Sequence, residues 1–136
     1  MIYLLDTHVV CWSVLDAERL STPVKSVLES LNPHDQLAVA DITLWEIAML
    51  ICKQRLVINI PLQQWIEQCI VNLKLQIIPL SADIVADSVQ LPGNFHSDPA
   101  DQLIVATARC IKATLLTRDQ KILEWAKSGF VHTLAA

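Results

Sequence analysis

Short apolar runs alternate along this chain with longer stretches whose apolar residues recur every three or four positions. The runs are Ile2-Tyr3-Leu4-Leu5, Leu37-Ala38-Val39-Ala40, Gln76-Ile77-Ile78-Pro79-Leu80, Ala113-Thr114-Leu115-Leu116 and Phe130-Val131-His132-Thr133-Leu134. Such brief, mostly apolar runs suit strands covered on both faces, as in a parallel sheet. Between them the spacing predicts helices from His8 to Leu15, from about Pro23 to Leu31 with Thr22 and Pro23 as start signals, and from Thr43 to about Gln54. The last of these is apolar nearly all round and is expected in the core. Pro61 opens a helix in which Leu62, Trp65, Ile66, Cys69, Ile70 and Leu73 mark one face, while Gln63, Gln64, Glu67 and Gln68 mark the other, the pattern of an amphipathic surface helix. Ser81 caps a helix from Ala82 to Gln90, and residues 91–98 form a loop.

A further helix opens at Asp98. Pro99 suits the first helical position because its missing N–H would have no partner there, and the Asp98 carboxylate accepts bonds from the free amides of the first turn. From Leu103 to Ile111 only Arg109 is charged, so this helix is expected to be largely buried. After Asp119 a last helix runs to about Lys127, where Gly129 stops it. Short strands alternating with helices predict one α/β domain, residues 1–136, built on a mainly parallel sheet.

Composition agrees with one core. Of the 136 residues 53% are apolar, and the mean hydropathy is positive. No stretch approaches the ~20 uncharged apolar residues that cross a bilayer, and Met1 to Asp6 lacks the basic start and long apolar run of a secretion signal. No membrane is expected, and the cytoplasm is the expected compartment. Cys11, Cys52, Cys69 and Cys110 show no C-x-x-C spacing and fall inside apolar helical patterns, which predicts buried thiols in place of a zinc site or disulfides. A net charge of −4 argues against a general nucleic-acid coat protein, whose affinity rests on many phosphate contacts, but it leaves a nuclease open. Arg109, Lys112, Arg118, Lys121 and Lys127 cluster toward the C-terminus, which admits either a basic surface beside an acidic pocket or an ordinary solvated face.

Acids recur at the junctions of elements. Asp6 ends the first strand, Glu46 and Asp101 each lie one turn into a helix, and Asp119 follows a strand. Singly, each has a bland reading as a helix cap: Thr43 with Glu46 has capping-box spacing, and Asp98 with Asp101 is an analogous pair. Together they point elsewhere, because a parallel sheet puts strand C-termini and the following helix N-termini on one edge. Carboxylates gathered there repel and raise one another's pKa unless a cation neutralises them. Oxygen ligands without Cys or His suit Mg²⁺ or Mn²⁺, and Mg²⁺ favours phosphate oxygens, which points to phosphoryl chemistry.

Leu5-Asp6-Thr7-His8, Leu44-Trp45-Glu46-Ile47-Ala48, the stretch from Asp98 to Ala106 and Leu116-Thr117-Arg118-Asp119 resemble, in order and spacing, the PIN-domain ribonucleases of the VapC toxin type. The resemblance covers essentially the whole chain. It implies a single three-layer α/β/α sandwich with a parallel central sheet, Mg²⁺ or Mn²⁺, and endonucleolytic cleavage of RNA to a 5′-phosphate and a 3′-hydroxyl. It also implies a homodimer and a small antitoxin partner whose tail covers the active site. By position, Asp6, Glu46, Asp101 and Asp119 match the family's catalytic and metal-holding acids, with Asp98 as an extra carboxylate. Thr7 and Thr117 are expected to orient carboxylates or water. Gln102 stands where many relatives carry Arg, and Asp41 is an additional acid near Glu46. His8 and His96 are expected to be structural, with proton donation or phosphate contact as the alternative role.

Two rival readings belong to other classes. A receiver-like Mg²⁺-binding signalling domain needs adjacent acids after its first strand, an Asp after a middle strand and a Lys after a late one. Here only Asp6 follows the first strand, and Ile77-Ile78 leads into Pro79-Leu80. A haloacid-dehalogenase-type phosphatase fails similarly, because Asp6-Thr7-His8 lacks the second Asp that class carries two residues on. A non-catalytic PIN-fold interaction module, whose acids merely cap helices, has no need of charge at Glu46.

Overall fold

A computed structural model describes residues 1–136. Five strands, β1 (Ile2–Leu5), β2 (Gln36–Ala40), β3 (Gln76–Ile78), β4 (Thr114–Thr117) and β5 (His132–Ala135), lie in the order β3-β2-β1-β4-β5 with every neighbouring pair parallel. The helices are α1 (Thr7–Leu15), α2 (Thr22–Glu29), α3 (Asp41–Cys52), α4 (Leu62–Asn72), α5 (Ala82–Ser88), α6 (Pro99–Ile111) and α7 (Gln120–Ala126), with a 3₁₀ turn at Ala17–Arg19. No helix is long and apolar enough to cross a membrane.

Strand pleating divides the core in two, because successive side chains point to opposite faces. Leu5, Leu37, Val39 and Leu116 join one cluster with Val9, Val10 and Trp12 of α1, Val24 of α2 and Trp65 of α4. Leu4, Ala38, Ala40 and Leu115 join the other with Ile104, Val105 and Ala108 of α6 and Ile122 and Trp125 of α7. Helices therefore cover both faces of the sheet, the three-layer α/β/α arrangement that the resemblance implies. The inner runs read as continuous apolar stretches because neither face meets water.

Several local expectations need correction. The α3 helix starts at Asp41, two residues early, and is not enclosed: Thr43 and Ile47 are its buried residues, while Trp45 is 57% exposed. A helix with apolar residues on every side carries no periodic signal to say which face turns inward. Cys11 and Cys69 are buried as expected, but Cys52 and Cys110, at the ends of α3 and α6, are exposed; all four are free thiols. Burial holds the Cys11 thiol up at about 12 and the Cys69 thiol at about 11. The side chain that caps α2 belongs to Ser21, accepting from the Val24 amide at 3.3 Å. Phe130 precedes β5, packing on Trp125 with ring centres 5.1 Å apart while its carbonyl accepts from Arg109 Nη1 at 2.8 Å.

Candidate active site

The site grows from the middle of the sheet. Strand order reverses between β1 and β4, and such a switch point opens a crevice beyond the strand C-termini. Leu5 pairs with Leu116, and the Asp6 amide donates to the Leu116 carbonyl at 3.0 Å, so the residues that leave β1 and β4 emerge side by side.

Asp6 is 7% exposed, and both of its oxygens are engaged. Oδ1 accepts from the Thr7 amide at 2.8 Å, which caps α1, and Oδ2 accepts from Thr117 Oγ1 at 2.7 Å. The same Thr117 hydroxyl accepts from the Asp119 amide at 3.1 Å, so one buried side chain fixes the first and last acids relative to each other. Asp119 caps α7 through the Ile122 amide at 3.0 Å, and Asp98 caps α6 through the Asp101 amide at 3.1 Å. Capping and membership of the site are thus compatible for these acids.

Glu46 behaves differently. Its Oε1 accepts from Thr7 Oγ1 at 2.5 Å, across from α1, and the Thr43 hydroxyl is buried without a partner. The capping-box spacing of Thr43 and Glu46 is therefore incidental, because Thr43 lies inside α3 and not at its cap. Asp101 Oδ2 lies 2.7 Å from His96 Nε2. His96 is also stacked on Phe95, with ring centres 4.4 Å apart, and its carbonyl accepts from Gln102 Nε2 at 3.2 Å. Gln102 braces the loop that delivers His96. Asp41 serves the fold, accepting from the Leu80 amide at 2.9 Å.

A cavity of about 360 Å³ is lined by Asp6, Thr7, Glu46, Asp98, Asp101 and Asp119, with His8, Trp12 and Arg118 at its rim. All the acids expected at the site line this one cavity. Thr117 lies beneath it, fully buried. Local spacing carries no signal for His96 against Asp101, since the two are separated by a loop and Pro99. Nor does it signal Trp12 and Arg118 at the rim.

Burial first, then crowding, raises the acids' pKa values. Desolvation pushes Glu46 up to about 7 against the Thr7 hydrogen bond, and the negative charges of Asp6, Asp101 and Asp98 add to the rise. Asp101 is pushed to about 6 by burial, with Asp6, Asp98 and Asp119 adding and the His96 contact opposing. Asp6 is raised by burial, partly offset by its Thr117 and Thr7 hydrogen bonds. Desolvated carboxylates that raise one another in this way are poised to gain from a cation. The donor set is oxygen only, which fits a hard divalent ion. No three His, Cys, Asp or Glu side chains close tightly enough to enclose an ion unaided.

Comparison with known proteins places the chain. The PIN domain family model matches residues 3–128. Ribonuclease VapC22 of Mycobacterium tuberculosis is 34% identical over 119 residues, 88% of either chain. Among solved structures, VapBC2 from Rickettsia felis, bound to a DNA fragment from its promoter, matches with a TM-score of 0.72 at 22% identity over 100% of this chain and 99% of that one. A toxin–antitoxin complex from Klebsiella pneumoniae gives a TM-score of 0.57 at 28% identity over 88% of each chain. Dependence on divalent metal is general among PIN-domain nucleases of the VapC type. The sheet order, the sequence relative and a family model spanning nearly the whole length agree, and this chain belongs to the PIN domain family.

Proposed function

We propose that residues 1–136 form one PIN-like nuclease domain that acts in the cytoplasm as a metal-dependent endoribonuclease, the toxin of a toxin–antitoxin pair. The observation that carries this reading is the gathering of Asp6, Glu46, Asp101 and Asp119 around one cavity, two of them with pKa values pushed to about 7 and about 6. Asp6, Glu46, Asp101 and Asp119 are the residues that would hold Mg²⁺ or Mn²⁺, with Asp98 lining the same cavity. Such an ion supplies Lewis acidity toward a phosphodiester and makes a water acidic enough to ionise near neutral pH. The chain's own residues do the positioning. Thr117 locks Asp6 and Asp119 together, Thr7 aims Glu46, and His96 holds Asp101, so the acids keep their places before any substrate arrives.

The named ribonuclease relative and the toxin–antitoxin complexes among the structural relatives support an RNA substrate and a small antitoxin partner. A basic side chain on the antitoxin's tail pairs with the acids in this reading. A homodimer, general for the family, belongs to the same reading. The test is expression without a partner, which should arrest growth, while Asp6→Asn and Glu46→Gln should relieve the arrest and remain soluble. Growth arrest by the amide variants as strong as by the native chain would overturn the reading, since toxicity would then come from binding.

A further inference from the structure

The basic residues near the C-terminus divide when their partners are traced. Arg109 pairs with Asp87 at 2.9 Å and Lys127 with Glu124 at 2.7 Å. Arg118 has no such partner. It borders a cavity lined by five carboxylates, yet neither it nor Arg19 forms an ion pair with any of them. The Arg19 and Arg118 guanidinium carbons instead lie 4.6 and 5.0 Å from the centre of the Trp12 ring, and Arg118 Nη1 donates to the Arg19 carbonyl at 3.0 Å. Both distances lie within the roughly 6 Å over which a ring face attracts a cation. Trp12 is only 9% exposed and belongs to the core, so its position is fixed from below.

Two cations on one ring repel each other, and an anion shared between them removes that repulsion. A guanidinium also offers a planar fork of donors that matches phosphate oxygens. The place matters as much as the charge, because Arg118 immediately precedes Asp119, at the edge of the acid-lined cavity. An RNA backbone approaching five carboxylates needs positive charge beside them. We propose that Arg118 and Arg19, held on Trp12, form a seat for a backbone phosphate of the RNA next to the phosphodiester that is cut. This rests on the ribonuclease reading. The two arginines bind and position; they take no part in bond breaking.

The test has two arms, with the native chain, Arg118→Gln, Arg19→Gln and Arg118→Lys in each. Both arginines are exposed, so the variants are expected to fold, which thermal melts check. In the first arm, cleavage of total RNA is followed with Mg²⁺ or Mn²⁺. Each Gln variant should raise KM about tenfold with kcat within about twofold, since it removes binding common to substrate and transition state. Arg118→Lys should recover part of the loss, keeping the charge but not the fork. In the second arm, binding of a labelled oligouridylate is measured against salt. The slope of log affinity on log salt should fall by about 0.7 for each arginine removed. Unchanged KM and slope in both Gln variants, or a fall in kcat at constant KM, would overturn the seat. Salt-sensitive binding lost in the variants, with no cleavage by the native chain, would remove the nuclease reading and leave the seat standing. A native chain that neither binds nor cleaves removes both.

Discussion

The two edges of the sheet treat carboxylates in opposite ways. At the N-terminal edge Asp35, just before β2, accepts from the Asn32 amide at 3.2 Å and pairs with the Met1 amine at 3.2 Å. The Asn32 hydrogen bond and the terminal amine hold it below its ordinary value of 3.8. At the C-terminal edge Asp6, Glu46 and Asp101 are all held above theirs, although they too accept hydrogen bonds. The difference lies in the neighbours. Asp35 meets the Asn32 amide and the terminal amine, whereas the site acids meet one another. The first arrangement pairs a carboxylate with a cation of the same chain; the second gathers several carboxylates around one cavity.

The strongest way to break this contrast is to remove one charge from the crowded edge. Glu46→Gln should lower ribonuclease activity by more than about a hundredfold, beyond the 10–100-fold typical of residues that merely support a metal site. The melting temperature of its metal-free form at pH 8 should match or exceed that of the native chain. A variant with nearly full activity would leave Glu46 as no more than a partner of Thr7. Thr117→Val attacks the same edge from beneath. It should reduce activity about 10–100-fold and stability by about 1–3 kcal/mol, because buried Asp6 loses a donor. Unchanged denaturation midpoint and turnover would show that the Thr117 bridge does nothing.

Glu46, ordinarily 4.5, stands at about 7 in the fold, and Asp101, ordinarily 3.8, at about 6. The folded chain therefore holds more protons than the unfolded chain between about pH 4 and 7, and stability falls as pH rises through that window. Thermal melts of the metal-free chain should move down from pH 5 to pH 8. Mn²⁺ at roughly a hundred times its Kd at pH 8 should restore about 2.7 kcal/mol there, on the order of 10 °C, and the same concentration should restore less at pH 5, where the acids hold protons. Equal melting temperatures across the series would remove the crowding argument. Asp35→Asn is the smallest change and carries the opposite sign. Its stabilisation is present above the ordinary carboxylate range and disappears as pH falls below it, so the variant should differ slightly from the native chain at pH 7 and converge with it near pH 2.

Much of the fold was legible because parallel strands buried on both faces cannot help being apolar. Leu4 and Leu5, or Leu115 and Leu116, sit on opposite sides of the sheet, and both sides are covered. The helix starts at Asp98 and Asp119 were legible for a local reason, since a cap bonds three residues ahead. Where an expectation failed, a local rule was asked a non-local question. The Thr43 and Glu46 spacing suggested a cap, but Glu46 found Thr7, which is 39 positions away. His96 had no partner in view from the sequence, and the loop before α6 turns it onto Asp101. The exposure of Cys52, Cys110 and Trp45 depended on which side of each helix the sheet claimed.

The elements, their alternation and the placing of each acid just beyond a strand or one turn into a helix follow from neighbours a few bonds apart, and so are written in the local pattern. Which strands lie together is settled only in the folded sheet. The order β3-β2-β1-β4-β5 sets Asp6 beside Thr117, 111 positions away, and brings Arg118 to Arg19, 99 positions away. Hydrophobic pattern states that a strand is buried but not which strand lies next to it. The pairing, and with it the charge that the acids feel, arises only when both faces of the whole sheet are covered at once.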